Sequence, residues 1–392
     1  MKRILAVGHG QDGSGFARVL RGILSGLCHD FDIHHIGLNG FGAGAPGDWI
    51  RHPCRDPNDA YGFDELRLQM GALRPDVVFV LHDLWILPGY LDAMQGFKAP
   101  VVAYTPIDGQ LARAESVYAL RELRCLVTYL PSAREQMRQA FEELAESDGI
   151  AMPELHAIPH GIDLDSFCPV ENAREKLFPS WKEAGDAFLF LNANRNWPRK
   201  QLILTIEAFA RFAQGKPESV KLYLHSAPQG CVDLRAAAER YGIGPRLLLT
   251  EDCGMEHPVV SEERLNWIYN ACDAGVNTSC GEGWGLVSFE HGSTGAPQIV
   301  PRHSACADLW HGSAEMVDAE LEPKSWQSPL RMSRVSVKGV TQAMERIYED
   351  GALRSDLSRA ARVNATSPAF GWPVVVEQWH GLFDRVTTEG NL

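Results

Sequence analysis

Residues 273–290 read DAGVNTSCGEGWGLVSFE. The small and apolar residues at 273–278 predict a buried parallel strand, and residues 286–294 predict a helix. The glycine-rich turn between them lets a ligand approach the backbone, and the first N–H groups of the helix favour a phosphate. Glu282 lies on this turn and Glu290 in the second turn of the helix. One carboxylate can therefore reach the reacting end of a polar ligand, and the other can reach its hydroxyls.

A purely structural explanation of the same stretch stays open. Glycines after a strand often only end it, and glutamates near the start of a helix often only complement its dipole. A motif match is a hypothesis until its context supports it, so the remainder of the chain decides between the two.

The rest of the chain alternates between strands and helices. Apolar runs predict strands at 4–8, 31–38, 76–81, 100–104, 125–130, 155–158, 188–193, 220–225, 246–251, 274–278 and 298–301. Helical patterns between and after them include 63–73, 132–146, 200–213, 261–272, 335–349 and 352–365. Strands that alternate with helices imply an α/β protein with parallel sheets and helices on both sheet faces.

The chain of 392 residues is long enough for two domains, because single cores stop growing near roughly 250–300 residues. We predict Rossmann-like domains at 1–170 and 171–368, followed by a C-terminal helix at 369–392. The second domain is expected to open with a charged helix at 171–181. Residues 41–59, which are rich in glycine and proline, are predicted to form a loop near the site. The cleft between two such domains is the expected place for a ligand.

Charge and composition exclude several classes of protein. The formal net charge is −13 and the pI is about 5.5, which argues against a protein that coats nucleic acid or an anionic membrane. The chain has no apolar run of about 18 residues and no signal-peptide pattern at its start, so we expect a cytoplasmic protein. Nine cysteines occur without a Cys-x-x-Cys pair, and neither a disulfide framework nor a structural zinc is expected.

A glycine-rich loop follows the first predicted strand. Gly8-x-Gly10-x-x-Gly13 formally matches the dinucleotide-binding fingerprint, and Gly15 follows it. The match is weak, because the strand at 31–38 ends without the acidic residue that binds an adenosine ribose. A loop that shapes a sugar or phosphate pocket is the favoured interpretation.

Two further strand ends of the first domain carry polar residues. His82 follows the strand at 76–81 and Asp108 follows the strand at 100–104, and parallel sheets bind ligands at these ends. His82 could equally be a loop histidine that hydrogen-bonds the backbone. Asp108, with Pro106 two positions before it and Gly109 directly after it, could equally be a turn residue.

A basic loop follows the first strand of the second domain. Arg195 and Lys200 lie five positions apart, and Pro198 is placed to begin a helix. A guanidinium and an ammonium beside a helix start form a plausible pyrophosphate clamp. The alternative is an ordinary basic surface turn, although this loop and the Glu282 turn both fall at strand ends of one sheet.

These motifs, in this order, resemble those of the family-four retaining glycosyltransferases, which have the GT-B fold of two Rossmann-like domains facing each other across a cleft. Glu282-x7-Glu290 resembles the family's Glu-x7-Glu motif, and Asn194-Arg195-x4-Lys200 resembles its Gly-Arg-x4-Lys loop. The resemblance covers most of the chain. It implies an N-terminal acceptor-binding domain, a C-terminal sugar-nucleotide-binding domain and a final helix that packs back on the first domain.

The resemblance also implies a role for each matching residue. Arg195 and Lys200 would neutralise the donor's diphosphate, so no metal or other cofactor is expected. Glu290 would hold the ribose hydroxyls, and Glu282 would contact the transferred sugar. The implied donor-binding set is Asn194, Arg195, Lys200, Glu282, Gly285, Leu286 and Glu290, with Gly13 and Gly15 from the first domain.

The chain departs from the family pattern in its first domain. Many relatives have a histidine-aspartate pair where this chain has Ile107-Asp108. Asp108 would then keep the catalytic sugar contact alone, or His82 would substitute for the histidine. His82 and Trp85 are the candidate acceptor-binding residues. In the stretch 158–167, which resembles the family's Ile-Pro-Asn-Gly-Val-Asp connection, a histidine replaces the usual asparagine.

The implied activity is retaining, metal-independent transfer of a hexosyl unit from a nucleotide-diphosphate sugar to an acceptor hydroxyl, assisted by the leaving phosphate. The donor base stays open among UDP, GDP and ADP, and the acceptor among a glycan, a lipid-linked sugar, a protein and a metabolite. No stable nucleic-acid complex is expected, and membrane contact is at most peripheral, through residues 113–124. A sugar-nucleotide epimerase and a non-catalytic nucleotide-sugar-binding protein remain the alternatives.

Overall fold

The chain folds into two compact units, and each is built on a parallel sheet. The computed structural model describes residues 1–10, 14–41, 47–54, 56, 58–181, 186–250, 257–324 and 328–389. The first unit consists of Met1–Gly161, Lys324–Leu330 and Pro368–Leu392, and the second of Ile162–Pro323 and Arg331–Ser367. The predicted α/β class with two parallel-sheet domains is confirmed.

The first unit contains a sheet of seven parallel strands. Its strands are β1 (Lys2–His9), β2 (Phe31–Leu38), β3 (Ile50–Pro53), β4 (Val77–Leu81), β5 (Val101–Thr105), β6 (Cys125–Thr128) and β7 (Glu154–Ala157). They lie in the order β3-β2-β1-β4-β5-β6-β7, and every neighbouring pair is parallel. The central strands β4 and β5 are buried along their whole length, as expected for a parallel sheet covered on both faces.

Helices cover this first sheet. They are α1 (Gly15–Leu27), α2 (Phe63–Leu73), α3 (Leu87–Ala93), α4 (Pro131–Asp148) and, from the end of the chain, α13 (Trp372–Glu389), with a 3-10 helix at Ala114–Glu122. Ser14 caps α1 by accepting a hydrogen bond from the Ala17 amide at 3.0 Å. A Cβ atom added at Gly22 of α1 would lie 2.3 Å from the Trp372 ring, so the glycine allows α13 to pack closely on α1.

One predicted loop contains a strand. Residues 41–59 were expected to be irregular, but Ile50–Pro53 forms β3 at the edge of the sheet, parallel to β2. The strand is short and partly exposed, so it lacks the continuous apolar run of the other strands. Its terminal proline is compatible with an edge strand, because the missing N–H removes no hydrogen bond from the sheet interior.

The second unit contains a sheet of six parallel strands. Its strands are β8 (Phe188–Asn192), β9 (Val220–Leu224), β10 (Leu247–Leu249), β11 (Ala274–Val276), β12 (Gln298–Pro301) and β13 (Glu315–Val317). They lie in the order β10-β9-β8-β11-β12-β13. Leu189 and Leu191 pack on one face of this sheet and Phe190 on the other, because successive side chains of a strand point to opposite faces. β13 is short and was not predicted.

The helices of the second unit flank this sheet. They are α5 (Ala173–Leu177), α6 (Leu202–Phe212), α7 (Leu234–Arg240), α8 (Glu262–Ala271), α9 (Leu286–Ser293), α10 (Ser304–Leu309), α11 (Val337–Glu349) and α12 (Gly351–Ala365). The charged helix predicted at 171–181 is only five residues long. The helix predicted at 200–213 divides into a 3-10 helix, Pro198–Lys200, and α6, because Gln201 between them has a left-handed backbone with φ of 51°.

Within the described parts of the chain, no helix combines the length and the apolar character that crossing a bilayer requires.

Candidate active site

The turn between β11 and α9 lies at the carboxyl end of the second sheet. α9 begins at Leu286, and the preceding Gly285 has a left-handed backbone with φ of 89°. An L side chain is strained in this conformation, so glycine fits the position where the turn enters the helix. The predicted arrangement of strand, glycine turn and helix is present.

The Glu282 carboxylate, on this turn, is buried against two cations. Its Oε1 atom accepts a hydrogen bond from Lys200 Nζ at 2.5 Å, and its Oε2 atom lies 3.5 Å from Arg199 Nη1. The Glu282 side chain is 6% exposed, against 14% for Lys200 and 30% for Arg199. Asn277 adds a longer contact from its side-chain amide to Oε1, at 3.4 Å. One carboxylate thus meets two positive charges and an amide in a nearly dry environment.

The surroundings of Glu282 keep it ionised. Burial alone would raise the pKa of this carboxyl group, but the charges of Lys200 and Arg199 and the hydrogen bonds from Lys200 and Asn277 lower the pKa to about 2. Opposite charges outweigh desolvation here because both cations lie within direct contact distance. At neutral pH the Glu282 carboxylate is therefore negatively charged.

A buried polar network holds the loop that contains Lys200 against the end of β11. The Asn192 side-chain amide donates to Thr205 Oγ1 at 2.9 Å, and Thr205 Oγ1 lies 2.7 Å from Thr278 Oγ1. The Thr278 hydroxyl also reaches the Lys200 carbonyl at 3.0 Å. Asn194, a residue of the predicted donor site, is buried and hydrogen-bonds Asn192 Oδ1 at 2.9 Å. Such networks restrict side-chain positions when every member is satisfied.

A second set of hydrogen bonds holds the backbone of the Glu282 turn. His303 Nε2 lies 2.9 Å from the Ser279 carbonyl oxygen, which can only accept, so Nε2 carries the proton. His303 Nδ1 then accepts from Ser304 Oγ at 2.9 Å, and Ser304 Oγ accepts from the Glu282 amide at 3.1 Å. Burial lowers the pKa of His303, which is consistent with this neutral tautomer. Ser304 has a left-handed backbone with φ of 44°, uncommon for a residue other than glycine.

Glu290, the second carboxylate of the motif, lies in the second turn of α9 as predicted. It is buried, and its Oε2 atom accepts a hydrogen bond from the Tyr269 hydroxyl at 2.9 Å. Tyr269 also stacks on His291, with ring centroids 5.5 Å apart. One carboxylate oxygen is therefore positioned by α8.

The basic loop differs from the prediction in one respect. Lys200 contacts Glu282, but the second cation on that carboxylate is Arg199 and not the predicted Arg195. Arg195 is exposed. Arg199, Asn277, His303 and Ser304 were all missed; the only available sequence signal was that Arg199 adjoins Lys200.

The predicted residues of the first unit lie at its own strand ends. Gly15 is the first residue of α1, whereas Gly13 lies outside the described residues. Asp108 is buried, and Trp85 is 48% exposed just before α3. These residues belong to a different unit from Glu282.

His82 lies among aromatic rings. Four ring centroids, those of His9, Phe16, Tyr61 and Tyr90, lie within 5.5 to 6.1 Å of the His82 centroid. Burial, with a smaller contribution from His9, lowers the pKa of His82 to about 4. Its Nδ1 atom accepts a hydrogen bond from the Asp83 amide at 2.8 Å, so the neutral ring carries its proton on Nε2.

One group of side chains in the described chain has the spacing of a metal site. Ligand atoms of Cys125, Glu154 and His156 all lie within 4.8 Å of one another. However, Arg385 of α13 donates to Glu154 Oε2 at 2.6 Å, and Arg124 also pairs with Glu154. Two guanidinium groups oppose a cation at this position, so we interpret the cluster as an anchor for α13.

Curated relatives of the chain carry glycosyltransferase names, although no protein-family model matches it. A D-inositol 3-phosphate glycosyltransferase of Xylanimonas cellulosilytica is 27% identical over 249 residues, covering 60% of this chain and 52% of that protein. A protein of the same name from Arthrobacter sp. is 24% identical over 238 residues, covering 58% of this chain and 50% of that protein. The chain spans about half the length of the curated relatives it matches.

Solved structures match the chain over nearly its whole length. The sucrose-phosphate synthase of Thermosynechococcus elongatus has a TM-score of 0.72 at 16% identity, covering 99% of this chain and 100% of that one. Anabaena HepE, solved with UDP-glucose, has a TM-score of 0.72 at 15% identity, covering 98% and 100%. A trehalose-phosphate synthase of Burkholderia vietnamiensis has a TM-score of 0.70 at 14% identity, covering 100% and 99%. The chain has the GT-B fold, and its named relatives support a glycosyltransferase family.

Proposed function

We propose that the chain is a retaining glycosyltransferase that moves a hexosyl unit from a nucleotide-diphosphate sugar to an acceptor hydroxyl. The observation that carries this proposal is the buried, ionised Glu282 beside Lys200 and Arg199, on a glycine turn that leads into α9. A fixed negative charge favours the positive charge that develops at an anomeric carbon, and cations favour a diphosphate leaving group. The names of the curated relatives support the same class of reaction.

The donor diphosphate binds between the basic loop and the start of α9 in this proposal. Lys200 and Arg195 supply positive charge, Asn194 orders their loop, and the amides of Gly285 and Leu286 donate to phosphate oxygens. Protein cations then do the work of a divalent metal, so no metal is required. Glu290, with one oxygen held by Tyr269, binds the ribose hydroxyls.

The transfer follows a front-face path. The bond between the anomeric carbon and the diphosphate oxygen breaks, and its electron pair stays on the diphosphate. The acceptor oxygen bonds to the anomeric carbon on the same face, and its proton passes to the departing phosphate oxygen. No separate protein base is needed, so catalysis consists of alignment and leaving-group stabilisation. Asp108 contacts the sugar, and His82 and Trp85 contact the acceptor.

The comparisons suggest where to begin with substrates. Anabaena HepE was solved with UDP-glucose, and the curated relatives are named for D-inositol 3-phosphate. We therefore propose UDP-glucose as the first donor and an inositol phosphate as the first acceptor, with GDP- and ADP-sugars as further arms.

The test measures binding and slow hydrolysis of UDP-, GDP- and ADP-sugars, with and without the acceptor, by the intact chain and by Glu282→Gln. We expect one donor class to be cleaved with retention, unaffected by a chelator, and Glu282→Gln to reduce cleavage by about 100-fold to 1,000-fold. Arg346→Met is the control, since Arg346 pairs with Glu315 on the α11 side of the unit at 3.0 Å. Donor epimerisation without an acceptor would instead support an epimerase, and binding without cleavage a non-catalytic protein.

A further inference from the structure

Arg199 connects the basic loop to the Glu282 turn at three consecutive residues. Its backbone carbonyl accepts from the Cys280 amide at 2.8 Å. Its guanidinium donates to the Gly281 carbonyl and lies 3.5 Å from Glu282 Oε2. A planar guanidinium can contact a carbonyl and a carboxylate at the same time, which an ammonium group cannot do with fixed geometry.

Lys200 holds the same carboxylate in a different way. Its Nζ atom contacts Glu282 Oε1 at 2.5 Å from the end of a flexible stem. A compact ammonium with rotatable donors can turn towards a stronger anion without moving its backbone. A diphosphate carries more negative charge than a carboxylate, so a bound diphosphate would compete with Glu282 for Lys200.

We infer that Arg199 is a positioning residue that holds Glu282 in place and ionised while Lys200 turns to the donor diphosphate. This inference rests on the proposed function, because it needs an anionic donor beside Lys200. Without Arg199, Glu282 would have to share Lys200 with the bound diphosphate. The two anions would then repel each other, and protonation of the Glu282 carboxyl group would relieve this repulsion.

The other groups around Glu282 cannot replace Arg199. The titratable or charged groups that act on this carboxylate are Lys200 and Arg199 from the basic loop, and His303 and Cys306 from the segment after β12. His303 is neutral in the hydrogen-bonded tautomer described above, and burial raises the pKa of Cys306, so neither supplies a positive charge. In the described chain, Arg199 is therefore the cation that stays on Glu282 when Lys200 leaves it.

The test compares Arg199→Met, Arg199→Lys and the control Arg346→Met. For Arg199→Met we expect kcat for donor turnover to fall about 10-fold to 100-fold, because the carboxylate loses its alignment, with donor KM changed less than about threefold. The acid limb of its pH–kcat profile should move up by about one pH unit or more, since an opposite charge is lost from the carboxylate. Arg199→Lys keeps the charge and should restore the acid limb while recovering kcat only in part.

A kcat loss with an unchanged acid limb, or a failure of Arg199→Lys to restore it, would show a merely structural role and overturn the inference. A second readout does not depend on turnover: carbon-13 NMR of the Glu282 carboxyl group, assigned by comparison with Glu282→Gln. Adding UDP should raise the titration point of Glu282 much more in Arg199→Met than in the intact chain. Equal titration in both proteins would overturn the inference, whereas a chain that cleaves no donor at all contradicts the proposed function.

Discussion

The carboxyl ends of the two sheets have the same architecture but opposite chemistry. In the second unit, Glu282 is buried and surrounded by Lys200, Arg199 and hydrogen-bond donors. In the first unit, His82 is buried and surrounded by aromatic rings. Both groups are desolvated, yet the pKa of Glu282 falls to about 2 and the carboxylate is ionised, while the pKa of His82 falls to about 4 and the imidazole is neutral.

The difference shows that the partners of a buried group decide its charge. Burial disfavours the charged form of both side chains. For Glu282, the two cations reverse this effect and lower the pKa of the carboxyl group. For His82, burial and His9 both lower the pKa of the ring, and no described anion counteracts them. The second unit therefore has fixed charges at its strand ends, and the first has a neutral N–H donor among aromatic rings.

The largest predicted effect comes from removing charge at the second unit. Lys200→Met should reduce donor hydrolysis by about 100-fold to 1,000-fold, because the proposed diphosphate leaving group loses a stabilising cation. His82→Asn in the first unit should leave donor hydrolysis without acceptor within about threefold and reduce only acceptor-dependent transfer, by about 10-fold, because one hydrogen bond is altered. The rate of donor hydrolysis without acceptor and the rate of transfer with acceptor are measured for both variants. Equal losses in the two variants would contradict the division of roles.

Glu282 and His82 should change the stability of the protein over different pH ranges. The folded-state pKa of Glu282 is about 2, below its ordinary value of 4.5, so its stabilisation is complete above pH 4.5 and is lost as the pH falls towards 2. The folded-state pKa of His82 is about 4, below its ordinary 6.5. Between pH 6.5 and pH 4, the His82 ring is protonated in the unfolded chain but not in the folded one. The free energy of unfolding therefore decreases as the pH falls from 6.5 to 4.

Denaturant unfolding from pH 7 to pH 3 separates these contributions. In His82→Asn, the decrease in unfolding free energy between pH 7 and pH 4 should be smaller than in the intact chain by up to about 3 kcal/mol. Glu282→Gln should be destabilised by a constant amount from pH 7 to pH 5, with the difference from the intact chain shrinking below pH 4.5. His29→Asn, at an exposed position, is the control for a histidine-to-asparagine substitution as such. Parallel curves for all three variants would refute the assignment.

Many strands and helices could be predicted from the sequence to within a few residues. Phe31–Leu38 and Phe63–Leu73 have the predicted bounds, because continuous apolar runs and helical periodicity report burial directly. β3 was missed since it is an exposed edge strand, and α10 and β13 are too short for a periodic signal. Edge position and short length leave little trace in a hydrophobic pattern.

Positions of candidate site residues could be predicted within single segments of sequence, but contacts between distant segments could not. Glu282, Glu290 and Lys200 lie on the predicted elements, but the contact of Arg199 with Glu282 joins residues 83 positions apart. Which cation of a basic loop faces a carboxylate depends on how a 3-10 turn directs its side chains towards a second loop. Ser304 is harder still, because its left-handed backbone with φ of 44° is uncommon for a residue other than glycine.

Two glycines test whether the turns of the two units are held by contact or by backbone conformation. A Cβ atom at Gly10 would lie 2.5 Å from the Gly40 carbonyl oxygen, whereas at Gly285 nothing would lie closer than 3.9 Å. Gly10→Ala should cost about 2–3 kcal/mol of unfolding free energy through overpacking. Gly285→Ala should cost about 1–2 kcal/mol through its positive φ.

Asparagine substitutions at the same positions sharpen this test. Asparagine tolerates a left-handed backbone better than alanine, so Gly285→Asn should be more stable than Gly285→Ala. At Gly10 the larger side chain should make Gly10→Asn less stable than Gly10→Ala. The same rank order at both positions would contradict the distinction between contact and conformation.

The smallest effect is expected at Trp85 in the first unit. Its side chain is 48% exposed, so Trp85→Ala should change the unfolding free energy by less than about 0.5 kcal/mol. If the ring packs on the acceptor, its loss removes about 0.5–1.5 kcal/mol of contact, which raises the acceptor KM about 2-fold to 10-fold while donor hydrolysis is unchanged. Phe97→Ala, at a 37% exposed position of the same unit, is the matched control. An equal rise in acceptor KM for both variants would mean that exposed aromatic surface in general, and not this strand end, determines acceptor binding.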